Sequence, residues 1–297
     1  MSNTIDMDQG SQEVLELLID LVNKSDISSI KQIVSEILEV IRDENSSAKD
    51  LKDIIERDPP LCARLLKLAN SAHYGYAKTI SDIQEAIVCI GFDAVKELAL
   101  NQKVCELFKQ ENVRNGYSRW ELWKHSSAVA VTSKLIYRRE FRERGDDIYV
   151  AGLLHDIGII VEDQFFPELF DSTLEIVSKG ERNLANVESE VLKINHAMVG
   201  QAIGENWGFP DELVHAIGCH HDPSDVPEEQ RKFVLTVYIA NYICQRERIG
   251  YVEVNKRDVD KYLKCLDLLK ISERSIDIVM EDVRLELKKL GELEMFG

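Results

Sequence analysis

A chain of 297 residues is long enough to bury one large core or two smaller ones, and a content of 44% hydrophobic and 30% charged residues is that of an ordinary globular protein. With 36 Lys and Arg against 53 Asp and Glu, the net charge is −17, the wrong sign for a general nucleic-acid binder or for attachment to an anionic membrane surface. No apolar run approaches the roughly 18 residues that a membrane span needs. The opening Met1-Ser-Asn-Thr-Ile-Asp6-Met-Asp8 lacks the basic start and apolar stretch of a signal peptide, so a cytoplasmic location is expected.

Helical periodicity dominates in chain order. Gln12 to Val22 carries Val14, Leu15, Leu18, Ile19 and Val22 on one stripe, and Ile30 to Ile41 carries Ile30, Ile33, Val34, Ile37, Leu38 and Ile41. Ser46 or Ser47 caps a third helix, Ala48 to Glu56, which ends at Asp58-Pro59-Pro60 because a residue before proline avoids the α region. Leu61 to Ala69 is a fourth, broken by Tyr74-Gly75-Tyr76. Thr79 to Lys109 forms a pair of helices joined at Ile90-Gly91-Phe92, read as a core hairpin because its second helix offers too little positive charge to read DNA. A loop at Arg114 to Ser118 separates the halves. Helices are then predicted from Arg119 past Tyr137, over Ile148–Leu154, Phe165–Lys179, Glu188–Trp207, Asp211–His220, Phe233–Gln245 and Val259–Lys270, and from Ser275 to Leu290. The expected fold is an all-α helical bundle, with a tail and first helix over 1–29, a first helical half over 30–115, a second over 116–250, and closing helices over 251–297.

The six cysteines form no Cys-x-x-Cys pair, and most stand in apolar helical contexts as buried thiols, with Cys219 beside His220 the one worth locating. Trp120, Trp123 and Trp207 read as core aromatics. Arg64, Lys67 and Asn70 read as a solvated helix face, and His73 as structural. Five of the seven histidines fall in a spaced series: His125, His155-Asp156, His196 and His220-His221. Histidine is the commonest metal ligand, and an imidazole next to a carboxylate can share a cation with ligands from other helices. His215, a little over one turn before His220, points elsewhere.

The second half resembles the HD superfamily of metal-dependent phosphohydrolases. His125 in Leu-Trp-Lys-His125-Ser matches the first ligand, His155-Asp156 in Leu-Leu-His155-Asp156-Ile-Gly the central pair, and Asn241 in Tyr-Ile-Ala240-Asn241 the final position, where the family has Asp. His196 and His220-His221 resemble the added ligands of the HD-GYP branch, which hydrolyses cyclic di-GMP. Glu121, four residues before His125 and on the same helix face, matches a further ligand of some of those enzymes. Ile159 stands where that branch has Lys, and Asp222-Pro223-Ser224 follows His221 in place of Gly-Tyr-Pro. The architecture is more similar still to the HDOD family, HD-related output domains of bacterial signalling proteins. Asp58-Pro59-Pro60-Leu-Cys-Ala-Arg64-Leu-Leu-Lys67-Leu-Ala-Asn70-Ser71, Ile80-Ser81-Asp82-Ile83-Gln84-Glu85-Ala86-Ile87-Val-Cys-Ile90-Gly91 and Asn206-Trp207-Gly208-Phe209-Pro210-Asp211 carry that likeness in order, over residues 30 to 250.

The resemblance implies a regulatory protein with a signalling partner and a residual site for one or two divalent ions (Fe, Mn, Ni or Zn). The implied ligands are His125, His155, Asp156, His196, His220, His221, Asn241 and Glu121. Asp156 and His155 are the residues for chemistry if hydrolysis survives, with Lys124 as a phosphate contact. Asn241 offers a carbonyl oxygen without a charge, so weaker cation binding is implied. Two alternatives stand beside this: a phosphohydrolase acting on a nucleotide or cyclic nucleotide, and a sensor of a phosphorylated small molecule without turnover.

Overall fold

A computed structural model describes residues 9–43, 45–71, 78–109, 113–180, 182–252 and 258–294; His73 and the Tyr74-Gly75-Tyr76 break lie outside them. The described residues are helical, with a single isolated β-bridge between Arg114 and Tyr117, and the all-α expectation holds. No helix among them is long and apolar enough to cross a membrane. The chain divides into two units: residues 29–106 with 284–297, and residues 1–28 with 107–283.

Helix α1 (Gln9–Asn23) belongs to the later unit. In the unit over 29–106, α2 (Ser29–Arg42) buries Ile30, Val34, Ile37 and Leu38, the stripe that its periodicity predicts. Helix α3 (Ala48–Ile55) opens with a capping box in which Ser47 accepts from the start of the helix and Asp50 reaches back to the Ser47 N–H. Helix α4 (Pro59–Ala69) starts at an Asp58 cap, with Pro59 and Pro60 in the first turn, where no N–H is needed. Asn70 closes it, its amide bonding Leu66 O, Ile80 O and Ile80 N–H. Helices α5 (Ile83–Ile90) and α6 (Phe92–Cys105) turn about Gly91, whose φ of 102° suits only glycine. Lys96, the cation that a DNA reader would present, is buried and paired with Asp93.

In the unit over 107–283, α7 (Arg119–Ile136) is capped by Ser118 and buried along most of its length. Each fully buried aliphatic side chain of this kind stabilises by about 1.5–3 kcal/mol. A π turn over Tyr137–Phe141 extends it, and Arg142 at φ 62° stops it. Then follow α8 (Asp146–Leu154), α9 (Ile157–Phe165), α10 (Pro167–Lys179), α11 (Leu184–Val191), α12 (His196–Trp207), α13 (Asp211–Cys219), α14 (Glu228–Arg246) and α15 (Val259–Leu269); α16 (Glu273–Glu294) starts in this unit, and its residues from Arg284 on belong to the unit over 29–106. Helix α7 packs along α8 and α14, α12 along α13 and α9, and α1 against α12 and α9.

Two predicted helices are corrected. Phe165–Lys179 is not one element: Pro167 forces Phe166 out of the α region (φ −128°, ψ 49°), which ends α9 and starts α10. Glu188–Trp207 is broken at Lys193, which adopts φ 65°, and restarts at an Asn195 cap. The loop before α7 is tied down by Asp163, which accepts from Arg114 and Arg119.

Candidate metal centre

Four helix ends meet in the unit over 107–283. His155 follows the last residue of α8, and His220 the last of α13. In both, Nδ1–H donates to the carbonyl three residues back, Gly152 O at 2.8 Å and Ile217 O at 2.6 Å, carbonyls that a helix end leaves without a partner. Asp156 stands just before α9, and His196 is the first residue of α12. The two N-terminal ends touch because residue 158 is glycine: a Cβ there would lie 2.0 Å from His196 O. His125 comes from the middle of α7. The chain after α14 passes so close that a Cβ on Gly250 would lie 2.4 Å from the His125 N, and Tyr251 N–H donates to Glu121 O.

The carboxylate of Asp156 lies between two sets of ring nitrogens. Its Oδ2 is 3.1 Å from His155 Nε2 and 3.9 Å from His125 Nε2. Its Oδ1 is 3.3 Å from His220 Nε2 and 3.6 Å from His196 Nε2. His196 Nε2 is in turn 3.3 Å from His220 Nε2 and 2.8 Å from His221 Nε2, and Asn241 Oδ1 is 2.9 Å from His125 Nε2. Ligands about 2.1 Å from a tetrahedral ion stand about 3.4 Å apart, the scale of these separations. Asp156 with His196, His220 and His221, and Asp156 with His125 and His155, each place one ligand atom per residue within 4.8 Å of the others.

The protonation pattern fits a cation. Nδ1 of His125 faces Ile249 O at 3.3 Å and Nδ1 of His196 faces Glu188 Oε2 at 2.6 Å. With the bonds of His155 and His220, this sets the Nδ1 atoms of four rings on outer acceptors and turns their Nε2 atoms inward, towards Asp156 and its neighbours. His155 Nε2 is fully buried without a hydrogen-bond partner, 3.1 Å from a carboxylate oxygen that is also an acceptor. Burial pushes the His125 and His220 imidazolium groups down to about 4 and that of His221 well below its usual value. Burial opposes the ionised form of Asp156, but His155 and His220 outweigh it and hold the carboxyl well below the usual range. Imidazoles gathered around a carboxylate are the donor set that zinc, iron or nickel takes.

Of the residues predicted for the site, His125, His155, Asp156, His196, His220 and His221 come together, with Asn241 against His125. Glu121 does not join them: its carboxylate pairs with Lys124 at 2.7 Å, and Lys124 also lies over the Trp120 ring. His215 bonds Asp211 O. Burial raises the Cys219 thiol, which stands outside the cluster. Trp123 and Trp207 are core residues, whereas Trp120 is 41% exposed and stacked on Trp123.

Sequence reading missed two carboxyls behind His196. Glu188 Oε2 accepts from both the His196 N–H at 3.0 Å and its Nδ1–H, and Glu162 on α9 abuts Glu188. Both are fully buried, and neither Glu162 oxygen has a donor. Burial and then Glu188 push the Glu162 carboxyl well above its usual range, so it stays protonated beside Glu188. The available signal was a carboxylate inside the apolar run Ile157-Gly-Ile-Ile-Val-Glu162.

The HDOD domain family matches residues 27–223. The chain belongs to the HDOD family. The match ends ahead of Asn241 and Gly250. An uncharacterised protein of Treponema pallidum is 29% identical over 230 residues, covering 72% of this chain, which spans only 42% of that relative. Among solved structures, an HDOD domain protein of unknown function from Geobacter sulfurreducens aligns with a TM-score of 0.72 at 26% identity, covering 86% of this chain and 90% of its own. A Marinobacter aquaeolei VT8 protein proposed to act in signal transduction has the same fold, with a TM-score of 0.69 at 22% identity over 98% of this chain and 66% of its own.

Proposed function

We propose that this HDOD chain is a regulatory module that acts by binding a signalling partner and holds a divalent-metal centre on Asp156, His125, His155, His196, His220 and His221. The observation that carries the reading is the Asp156 carboxylate with each oxygen facing a separate set of inward-aimed Nε2 atoms. Five of the six ligands are buried and His221 alone is half-buried, which favours a site closed around its ion over one with an open position for turnover. Lys124, the cation closest in sequence to the site, turns to Glu121 and Trp120, away from a phosphate at the centre. Asn241 gives a neutral oxygen where the HD family has a carboxylate, so the site carries less charge to hold two ions.

The bridging place of Asp156 also favours a second reading, a metal-dependent phosphohydrolase acting on a nucleotide or cyclic nucleotide. When bound, divalent ions supply a water nucleophile at neutral pH and stabilise charge on phosphate oxygens. In that reading Asp156 orients both halves of the site, and the Nδ1–H bonds to Gly152 O and Ile217 O keep His155 and His220 aimed while a phosphoester enters.

Elemental analysis of the purified protein beside Asp156→Ala tests the centre. One or more equivalents of Fe, Mn, Ni or Zn in the wild type, absent from the variant, are expected; an ion-free wild type that stays so after incubation with those metals overturns it. The loaded protein is then given cyclic di-GMP. No turnover is expected. Product formation that Asp156→Ala abolishes would replace the regulatory reading with the hydrolytic one, and thermal stabilisation without product would make the site a nucleotide sensor.

A further inference from the structure

The two halves of the cluster differ in what stands behind their histidines. On the Oδ2 side, His125 and His155 are backed by the neutral carbonyls Ile249 O and Gly152 O, and the neighbouring side chain is the uncharged Asn241. On the Oδ1 side, three imidazoles gather, and His196 is backed by the carboxyl group of Glu188, which accepts both its ring N–H and its backbone N–H. A carboxylate behind a ligating histidine fixes its tautomer and orientation and makes its far nitrogen a stronger donor. Glu188 is itself enclosed: it is fully buried and has Glu162 against it, so its direction is set by packing.

We propose that the Oδ1 half, Asp156 with His196, His220 and His221, is the tighter of the two ion sites, and that Glu188 is the positioning residue that makes it so through His196. Glu188 thereby stands a carboxyl group behind one half of the centre, where the other half has only carbonyls and the Asn241 amide. The inference rests on the metal reading above and adds an order of loading: the Oδ1 half fills first and the Oδ2 half, poorer in charge, fills second or not at all.

The test is calorimetric titration of metal-stripped full-length protein with Zn2+. The wild type is expected to bind a first equivalent tightly. Glu188→Gln, which keeps the volume and an accepting oxygen but removes the charge, is expected to weaken that first step by about 10–100-fold. Any second step stays unchanged, whereas a general loss of packing would weaken both. A Glu188→Gln protein that binds its first equivalent as tightly as wild type overturns the proposal. A second pair of variants leaves Glu188 untouched, should its substitution prevent folding. His221→Ala is expected to abolish the tight step and His155→Ala to spare it; the reverse assignment overturns the proposal. A wild type that takes up no ion overturns the metal reading itself, an outcome distinct from binding that ignores Glu188.

Discussion

Asp156 occupies a position where an aspartate ordinarily caps a helix, yet its side chain makes no cap bond to α9 and its oxygens face histidines instead. That forgone cap is a local cost of order 1 kcal/mol, accepted where a site needs the carboxylate elsewhere. The histidines bring a pH dependence whose sign is fixed by their shifts. His125 and His220 titrate near 4 in the fold against an ordinary 6.5, so the unfolded chain binds more protons between those values. Their contribution is complete above about pH 6.5 and is lost as pH falls towards 4, on the order of 3 kcal/mol each at most. Glu162 is raised, so its contribution is present below its ordinary 4.5 and fades as pH climbs through its folded value. Three lowered imidazoles, His221 included, outweigh this one raised carboxyl, so metal-stripped protein is expected to lose Tm from pH 7 to pH 4 in thermal unfolding; a flat profile would contradict imidazoles buried in the neutral form. The cluster residues were legible because histidine spacing and family likeness both mark them. Glu188 was not, because nothing in its sequence context says that it will be buried against a ring, and Glu162 left only the faint mark of a carboxylate inside an apolar run.

At the scale of elements, the site is a meeting of helix ends, and its geometry depends on how closely α9 and α12 approach. Gly158→Ala inserts a methyl 2.0 Å from the His196 carbonyl, and backbone cannot yield as a side chain can. Overpacking of this kind costs about 1–3 kcal/mol, with this case at the upper end. The variant is expected to show a lower urea midpoint and to lose metal by elemental analysis, since Asp156 and His196 are pushed apart. Retained metal at full stoichiometry would show that the contact is dispensable. Asn195→Ala is expected to cost about 1 kcal/mol in the same urea assay, because its side chain accepts from Met198 N–H at the start of α12. The sequence marked most of the helices and the joints at Ser47, Asp58 and Gly91, but not those at Phe166 and Lys193. Asn195 was a readable cap that a continuous apolar pattern masked, and Pro167 a readable start hidden by the apolar pair Phe165-Phe166.

At the scale of the molecule, the units are not contiguous in sequence. Helix α1 packs with α9 and α12, which no local pattern in residues 9–23 announces, because an amphipathic stripe names a buried face but not its partner. The centre is likewise assembled from distant stretches: α7, α8 and α9, then α12 and α13, then α14. An ion bound there stabilises the native state by about 2.7 kcal/mol at a hundred times its Kd. Chelation is therefore expected to lower Tm, and restoring Zn2+ to raise it, with Asp156→Ala indifferent to both in differential scanning calorimetry.

The order of those stretches also sets a timetable for synthesis. His125, His155 and Asp156 leave the ribosome well before His196, His220 and His221, and at roughly 5–20 residues per second the interval lasts several seconds. During it only the charge-poor half of the ligand set exists. On the order of loading proposed above that half alone holds an ion weakly, so the nascent chain is expected to take up its metal only once His196, His220 and His221 have closed in.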